Sequence, residues 1–410
     1  MRILFCAALS VALVAPMALA EPLTFEAALK QAQQSAPSLA AKTADLDAAR
    51  YASVAAGRLP DPKLRLGVEN FPISGPPAGS FNRDSMTMTT LGVVQDMPNA
   101  AKRKAERGRA DADMDVAQAG VTLESRAVRV NTAVAWINLY YAKQKLAALD
   151  EIAASIGSIQ KTAPSQLATG SLRPSQTLDA AQLMAALDDR RADLVSEVAK
   201  SRAELIRWTG DDTTDTTGDP PNYEVDPSAL QSALDRNPML GVYNAMNQQA
   251  DADVNLARAN KRSDWGWDVT YQHRDQMWGD MVSAGITLSL PLFSKNRQDP
   301  VIQARQDTVN KAHFEREAAH RQLQAQLDAD LADHIMHHDR LDRAQTTLVP
   351  LAQKKADLEV ASYGAGNALL SDVLSAQLTL AEARVDLLSR EADVAVDAVR
   401  ITLTYGSDDQ

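Results

Sequence analysis

The sequence predicts a mainly α-helical chain with a small membrane-type β portion, the whole unit written twice. Three observations predict it. The stretch "YGAGNALLSDVLSAQLTLAEARVDLL", residues 363–388, is a glycine-bearing break followed by a long run whose apolar residues stand three and four apart, the spacing of one helix face. The earlier stretch "LATGSLRPSQTLDAAQLMAALDDRRADL", residues 167–194, repeats it: laid over each other, Gly170 falls on Gly366, Ser175 on Ser371, Leu178 on Leu374 and Ala180 on Ala376. Each half also carries two short runs in which side chains alternate in character, the period of a strand.

The N-terminus comes first. Met1-Arg2 leads into an apolar run and then Ala18-Leu19-Ala20, the layout of a secretory signal peptide over residues 1–20. Cys6, the single cysteine, lies inside it, so disulfides and cysteine metal sites are not expected in the mature chain. The net charge of −11 argues against a nucleic-acid partner. Beyond the leader no run approaches the ~20 apolar residues of a membrane helix, so the chain is either soluble or crosses a membrane as strands.

Each repeat opens with a pair of shorter helices, "LTFEAALKQAQQSAPSLAA" and "PSALQSALDRNPMLGVYNA". Pro37-x-Leu39 matches Pro238-x-Leu240, and the second helix of each pair ends near Arg58 and Arg262. Strands are expected near 63–71 and 85–96 in the first half, and near 265–273 and 281–291 in the second. In "WGWDVTYQH" Trp265, Trp267, Val269 and Tyr271 share one face; in "MVSAGITLSL" Val282, Ala284, Ile286, Leu288 and Leu290 do. "KLRLGVENF" alternates through Leu64, Leu66 and Val68, and "MTMTTLGVVQDM" alternates less cleanly. These runs have about the length of a tilted membrane strand. Trp265, Trp267, Tyr271 and Trp278 suit aromatics at a bilayer interface. A small soluble sheet with one wet face reads the same alternation. Four strands cannot close a barrel and lipid forbids open edges, so a membrane reading requires copies of the chain to share one barrel.

Long helices follow over 99–163 and roughly 296–363, enriched in Ala, Leu, Gln and Arg. At 1.5 Å per residue each reaches on the order of 100 Å, so it must pack along its length against other long helices. Turns near 164–174 and 363–371 reverse the chain. Gly170, Gly364 and Gly366 suit left-handed helix ends, and Pro174 and Asp372 suit first turns of helices. The repeats span 21–208 and 228–405, with a turn-rich linker at 209–227 and a tail at 406–410.

Chemistry-bearing motifs are sparse. There is no phosphate loop, nucleophile elbow or paired-histidine protease motif, so neither catalysis nor a cofactor is expected. In "DHIMHHDR", His334 and His338 are four apart on one helix face, which Asp330 extends; His337 pairs in the same way with Asp333. Such spacing can hold Zn²⁺ or Cu²⁺, and a polar helix surface explains it as well; no metal site is assigned. Met86, Met88 and Met97 can be soft Cu(I) ligands, but lipid-facing strand positions explain them better.

With the repeat, the element order and "YGAGNALLSDVLSAQLTLAEARVDLL", the chain from 21 to 410 resembles the outer-membrane efflux protein family, the TolC-like factors. "RLPDPKLRLGVENFP" and "LGVVQDMPNAAKRKAER" resemble its heavy-metal resistance branch. The resemblance implies a homotrimer with a twelve-stranded β-barrel in outer-membrane lipid and a long α-helical tunnel in the periplasm. It also implies a periplasmic adaptor (membrane fusion) protein and an inner-membrane pump of resistance-nodulation-division type docked at the tunnel tip. The repeated turns become the tips, with Gly170, Ser171, Leu172, Gly364, Gly366, Asn367 and Ser371 as adaptor-contacting residues. The family often carries two acidic residues after the second-half turn; here those positions hold Asp372 and Ser375, and the first half has Gln176 and Asp179. An acidic constriction would rest chiefly on Asp372. Metal cations are the expected cargo. A drug or solvent duct, or a soluble periplasmic coiled-coil scaffold, remain alternatives.

Overall fold

A computed structural model describes residues 23–160, 174–212 and 215–406. The first repeat gives α1 (Phe25–Ser35), α2 (Pro37–Ala55), β1 (Lys63–Glu69), β2 (Met88–Met97), α3 (Ala100–Gln160) and α4 (Pro174–Thr209). The second gives α5 (Pro227–Ala233), α6 (Pro238–Ala259), β3 (Trp265–His273), β4 (Met281–Leu288), α7 (Gln298–Arg343), α8 (Val349–Gly364) and α9 (Leu370–Tyr405). The helix starts follow capping chemistry. Thr24 Oγ1 accepts the Ala27 amide at 3.3 Å, Asp226 Oδ1 accepts the Ser228 amide at 2.9 Å, and Asn237 Oδ1 accepts the Met239 amide at 2.9 Å, each satisfying a donor the first turn leaves open. Pro37 and Pro238 open equivalent helices in the two repeats, where the missing amide is no loss.

The described chain divides into two compact units, and neither coincides with a sequence repeat. Among the described residues, one combines those of 23–36, 128–225 and Asp330–Leu403; the other combines Pro37–Ala127, Asp226–Ala329 and 404–406.

The first unit is built on apolar helix faces. One cluster joins Leu149, Ile152 and Ile156 of α3, Leu187 and Leu194 of α4, and Leu370, Leu374, Ala381 and Val385 of α9. A second surrounds Trp136, which is fully buried. Its ring meets Phe25 edge-on at 5.6 Å and stacks on Tyr140 at 5.7 Å. Its indole Nε1 donates to the Leu23 carbonyl at 3.0 Å, so the polar tip is satisfied where the ring is dry. The turn-rich segment 209–227 is more than a tether. Thr216 forms a parallel bridge with Leu23, and Asp215 accepts from Lys143 at 2.9 Å with Arg202 at 3.6 Å. Burial opposes ionisation of Asp215, but Lys143, the Thr216 amide and Arg202 outweigh it and hold the carboxyl below its ordinary range.

In the second unit the strands form one antiparallel sheet in the order β1-β2-β3-β4. β1 and β4 are its edges. β4 ends at Leu288, short of residue 291: the Ser289 amide still donates to the Asp264 carbonyl at 2.8 Å, but the Asp264 amide donates to the Ser289 hydroxyl at 2.9 Å and not to its carbonyl, and Pro291 has no amide to continue a ladder.

The helix expected over 296–363 is interrupted. A π turn at Ala344–Leu348 separates α7 from α8, and Pro350 lies in the first turn of α8. Proline removes one helical hydrogen bond and crowds the carbonyl four residues back, which the wider π turn relieves.

Candidate functional site

Two features carry the site: the faces of the sheet and the turn between α8 and α9. Register decides the faces. Leu64 pairs with Val93, Val93 with Val269, and Val269 with Ala284; Leu66 pairs with Leu91, Leu91 with Tyr271, and Tyr271 with Val282. The next rows on the same face join Gln95, Trp267 and Ile286, then Met97, Trp265 and Leu288. An apolar belt thus crosses all four strands, and it is exposed: Leu66 at 69%, Val282 at 70% and Ile286 at 78%. The other face is mostly polar or small, as in the row Arg65, Gly92, Thr270 and Ser283, with Met88, Val94 and Met281 as apolar exceptions. A Cβ on Gly92 would stand 2.6 Å from Thr270 Oγ1, and one on Gly285 2.6 Å from Asp268 Oδ1. A side chain at either position would require Thr270 or Asp268 to shift.

The aromatics split between the two ends of the sheet. Trp265 and Trp267 stand at the start of β3, whereas Trp278 lies in the β3–β4 loop, where its carbonyl accepts from Arg274 Nη2 at 2.6 Å. The methionines do not share one environment. Met97 lies on the apolar face, Met86 precedes β2, and Met88 is buried on the opposite face, paired with Glu69. The ambiguous alternation of β2 hid this: both of its faces carry apolar residues.

The sheet is tied to α3 through one carboxylate. Asp264 Oδ1 accepts from the Asn99 amide at 2.8 Å and from Asn99 Nδ2 at 2.7 Å, and Lys102 Nζ lies 3.6 Å from Oδ2. Asn99 in turn caps α3, its Oδ1 accepting the Lys102 amide at 2.8 Å. Burial works against the ionised form, but Asn99 and Lys102 hold the Asp264 carboxyl below its ordinary range.

The α8–α9 turn is a Schellman motif. The Gly366 amide donates to the Tyr363 carbonyl at 3.0 Å and the Asn367 amide to the Ser362 carbonyl at 2.9 Å, with Gly366 left-handed at φ 76°. This motif satisfies the carbonyls a helix end leaves open. Gly364 is still helical, so one left-handed glycine, and not two, makes the turn among the described residues. Asp372 is exposed in the first turn of α9. Its Oδ2 accepts the Leu369 amide at 2.9 Å, the reach-back arm of a capping box. Ser375 is exposed one turn on, and Ser371 is half-buried. Of the first-half tip, Gly170, Ser171 and Leu172 lie outside the described residues. Gln176 and Asp179 lie on α4, with side chains outside the described set. The repeat-equivalent leucines differ: Leu374 is buried at 3% and Leu178 is exposed at 71%.

The histidine cluster separates. His337 Nδ1 meets Asp397 Oδ2 at 2.7 Å, and Asp397 also accepts from Arg400, which donates to Asp330 at 2.8 Å. His337 therefore leaves the cluster for Asp397 instead of Asp333, and Asp330 leaves it for Arg400. Sequence spacing sees partners on the same helix and misses those on α9. His334 and His338 stay together, ring centres 5.8 Å apart. Among the described residues no three His, Cys, Asp or Glu side chains are grouped to hold a metal.

Among the described residues, no helix is long and apolar enough to cross a membrane. The chain matches the family model described as outer membrane efflux protein over residues 28–211 and 229–407. It is 23% identical over 380 residues to the cobalt-zinc-cadmium resistance protein CzcC of Cupriavidus metallidurans, covering 92% of this chain and 88% of that one. Its fold is similar to a membrane protein of Pseudomonas aeruginosa, with TM-score 0.80 and 14% identity, covering 93% of this chain and 92% of that one. It is also similar to the Campylobacter jejuni CmeC outer membrane channel, with TM-score 0.78 and 13% identity over 93% of this chain and 85% of that one. With a duplicated helical unit, an outward apolar sheet face and a family match across both repeats, the chain belongs to the outer membrane efflux protein family.

Proposed function

We propose that three copies of this chain close one twelve-stranded barrel in the outer membrane. The barrel is the exit duct of a tripartite system that exports heavy-metal cations. The observation that carries the barrel is the sheet. It shows lipid-compatible side chains on one face, mostly polar and small ones on the other, and unpaired edges at β1 and β4. In hydrocarbon those edges have to be paired, and joining β4 of one copy to β1 of the next pairs them all. Trp265, Trp267 and Tyr271 with Trp278 then mark two levels of the bilayer interface.

The helical portion extends into the periplasm, where a periplasmic adaptor and an inner-membrane pump of resistance-nodulation-division type dock on the tips. Ser371, Gly364, Gly366 and Asn367 sit at the second-half tip, and Asp372 with Ser375 at its constriction; Gln176 and Asp179 play that part in the first half. Metal cargo is supported by the similarity to CzcC and by the net charge of −11, since an acidic conduit concentrates cations. Deleting the gene and comparing tolerance to cobalt, zinc and cadmium with tolerance to hydrophobic drugs tests the cargo. Metal sensitivity is expected; drug sensitivity alone would assign the duct to drug or solvent export.

A further inference from the structure

The His334–His338 pair is not absorbed by the export function. Both residues line a groove of 680 Å³ together with Tyr141, Gln345, Glu391 and the segment 220–225. Two imidazoles bound through nitrogen to one tetrahedral ion at 2.0–2.1 Å place their ring centres roughly 5 Å apart. Here they stand 5.8 Å apart on successive turns of α7, near that spacing, and His338 is exposed.

The Nδ1 of His334 is buried without a hydrogen-bond partner among the described residues. A buried imidazole nitrogen left so carries a desolvation cost that a bound cation or its water removes. Glu391 gives the groove negative charge: burial and then Glu391 push the Tyr141 hydroxyl up to about 12. Gln345, which donates to Glu391 at 3.4 Å, belongs to the π turn, a local distortion that is frequent at functional sites.

We propose that His334 and His338 form a two-histidine site for a divalent d-block cation such as Zn²⁺, Cu²⁺ or Ni²⁺, with water completing its shell. Imidazole pairs suit these ions over Mg²⁺ or Ca²⁺. With only two protein ligands the ion exchanges readily. The site goes beyond the export reading and does not depend on which compound is cargo.

The test uses the untagged full-length protein in detergent, with Cu²⁺ as the probe, read by electron paramagnetic resonance and by titration calorimetry. One equivalent of Cu²⁺ with hyperfine coupling to two imidazole nitrogens is expected. His338→Gln lies at an exposed position and should leave one nitrogen and weaken binding by at least about tenfold, the lower end of what even an outer-shell loss costs. His313→Gln, exposed elsewhere on α7, should leave both readings unchanged. His334→Gln should act like His338→Gln; if it does not fold, His338→Gln decides alone. Absence of a two-nitrogen Cu²⁺ signal, or a signal that survives His338→Gln, would overturn the site. Metal tolerance in cells reads the cargo separately, so the two ideas fail independently.

Discussion

The Trp136 core and the β-sheet use the same kinds of side chain in opposite ways. Around Trp136, Phe25, Leu139, Leu205 and Val399 all turn inward and are at most 5% exposed. On the sheet, Leu66, Tyr271, Val282 and Ile286 turn outward. A patch of that extent on a water-facing surface marks an interaction site. The difference teaches that the two regions were shaped by two solvents: the helices bury apolar surface against one another, and the sheet presents it to lipid. Helix period and strand period are the means by which one chain does both.

Breaking the inward half should have the largest effect. Trp136→Ala removes a fully buried ring and its bond to Leu23, and should cost about 3–5 kcal/mol. Thermal unfolding followed by circular dichroism checks it. A loss below about 1 kcal/mol would mean that the cluster collapses without strain.

The outward half is tested by neighbours on opposite faces. Val282→Arg puts a charge on the apolar face and should destabilise the protein in lipid vesicles by about 2–4 kcal/mol near the bilayer midplane, less toward an interface. Ser283→Arg, one residue on and facing the other way, should be close to neutral. Equal effects of the two would refute the assignment of faces.

The carboxylate that ties the sheet to α3 sharpens the comparison. Asp264 is held below its ordinary range, so its contribution is present above the unfolded value of about 3.9 and is lost as pH falls through the lower folded value. Asp264→Ala should cost about 1.5 kcal/mol at neutral pH, the low end for a bond to a charged group, because the side chain is 38% exposed. Asp264→Asn should flatten the acid limb of the stability profile below about pH 4. An unchanged limb would place the acid sensitivity elsewhere.

An effect of similar size is expected at the α8–α9 turn. Gly366→Ala forces a Cβ into a left-handed position at φ 76°, a strain of about 1–2 kcal/mol, with open space around it. Hydrogen exchange at the Asn367 amide should quicken in the variant; protection equal to wild type would show that the turn tolerates a side chain.

Much of this organisation was legible because it rests on period and punctuation. The stripe Leu374, Leu378, Ala381, Val385 foretold the face that packs in the first unit. The alternation of Trp265, Trp267, Val269 and Tyr271 foretold one face of β3. What escaped was set by distant partners. Met88 went to the opposite face because β2 is apolar on both sides. His337 found Asp397, sixty positions away, and no local spacing reports that. The interruption at Ala344–Leu348 did have a signal, Pro350 inside a helical run, and weighing it against the periodicity would have found the break. Asp215, anchored by Lys143 and Arg202, sat in a segment that composition marks only as turns.

The order of the strands has an evolutionary consequence. The central seam of the sheet, from Thr89 against His273 to Met97 against Trp265, joins the hairpin of one repeat to the hairpin of the other. In a closed ring of three chains, the seam between one copy's β4 and the next copy's β1 joins the same two kinds of edge. Covalent linkage between repeats is therefore dispensable to the geometry. An ancestral gene half as long, encoding one hairpin and its helices, would close the same ring as a hexamer, and fusing two copies would halve the number of subunits that must meet before any edge is sealed.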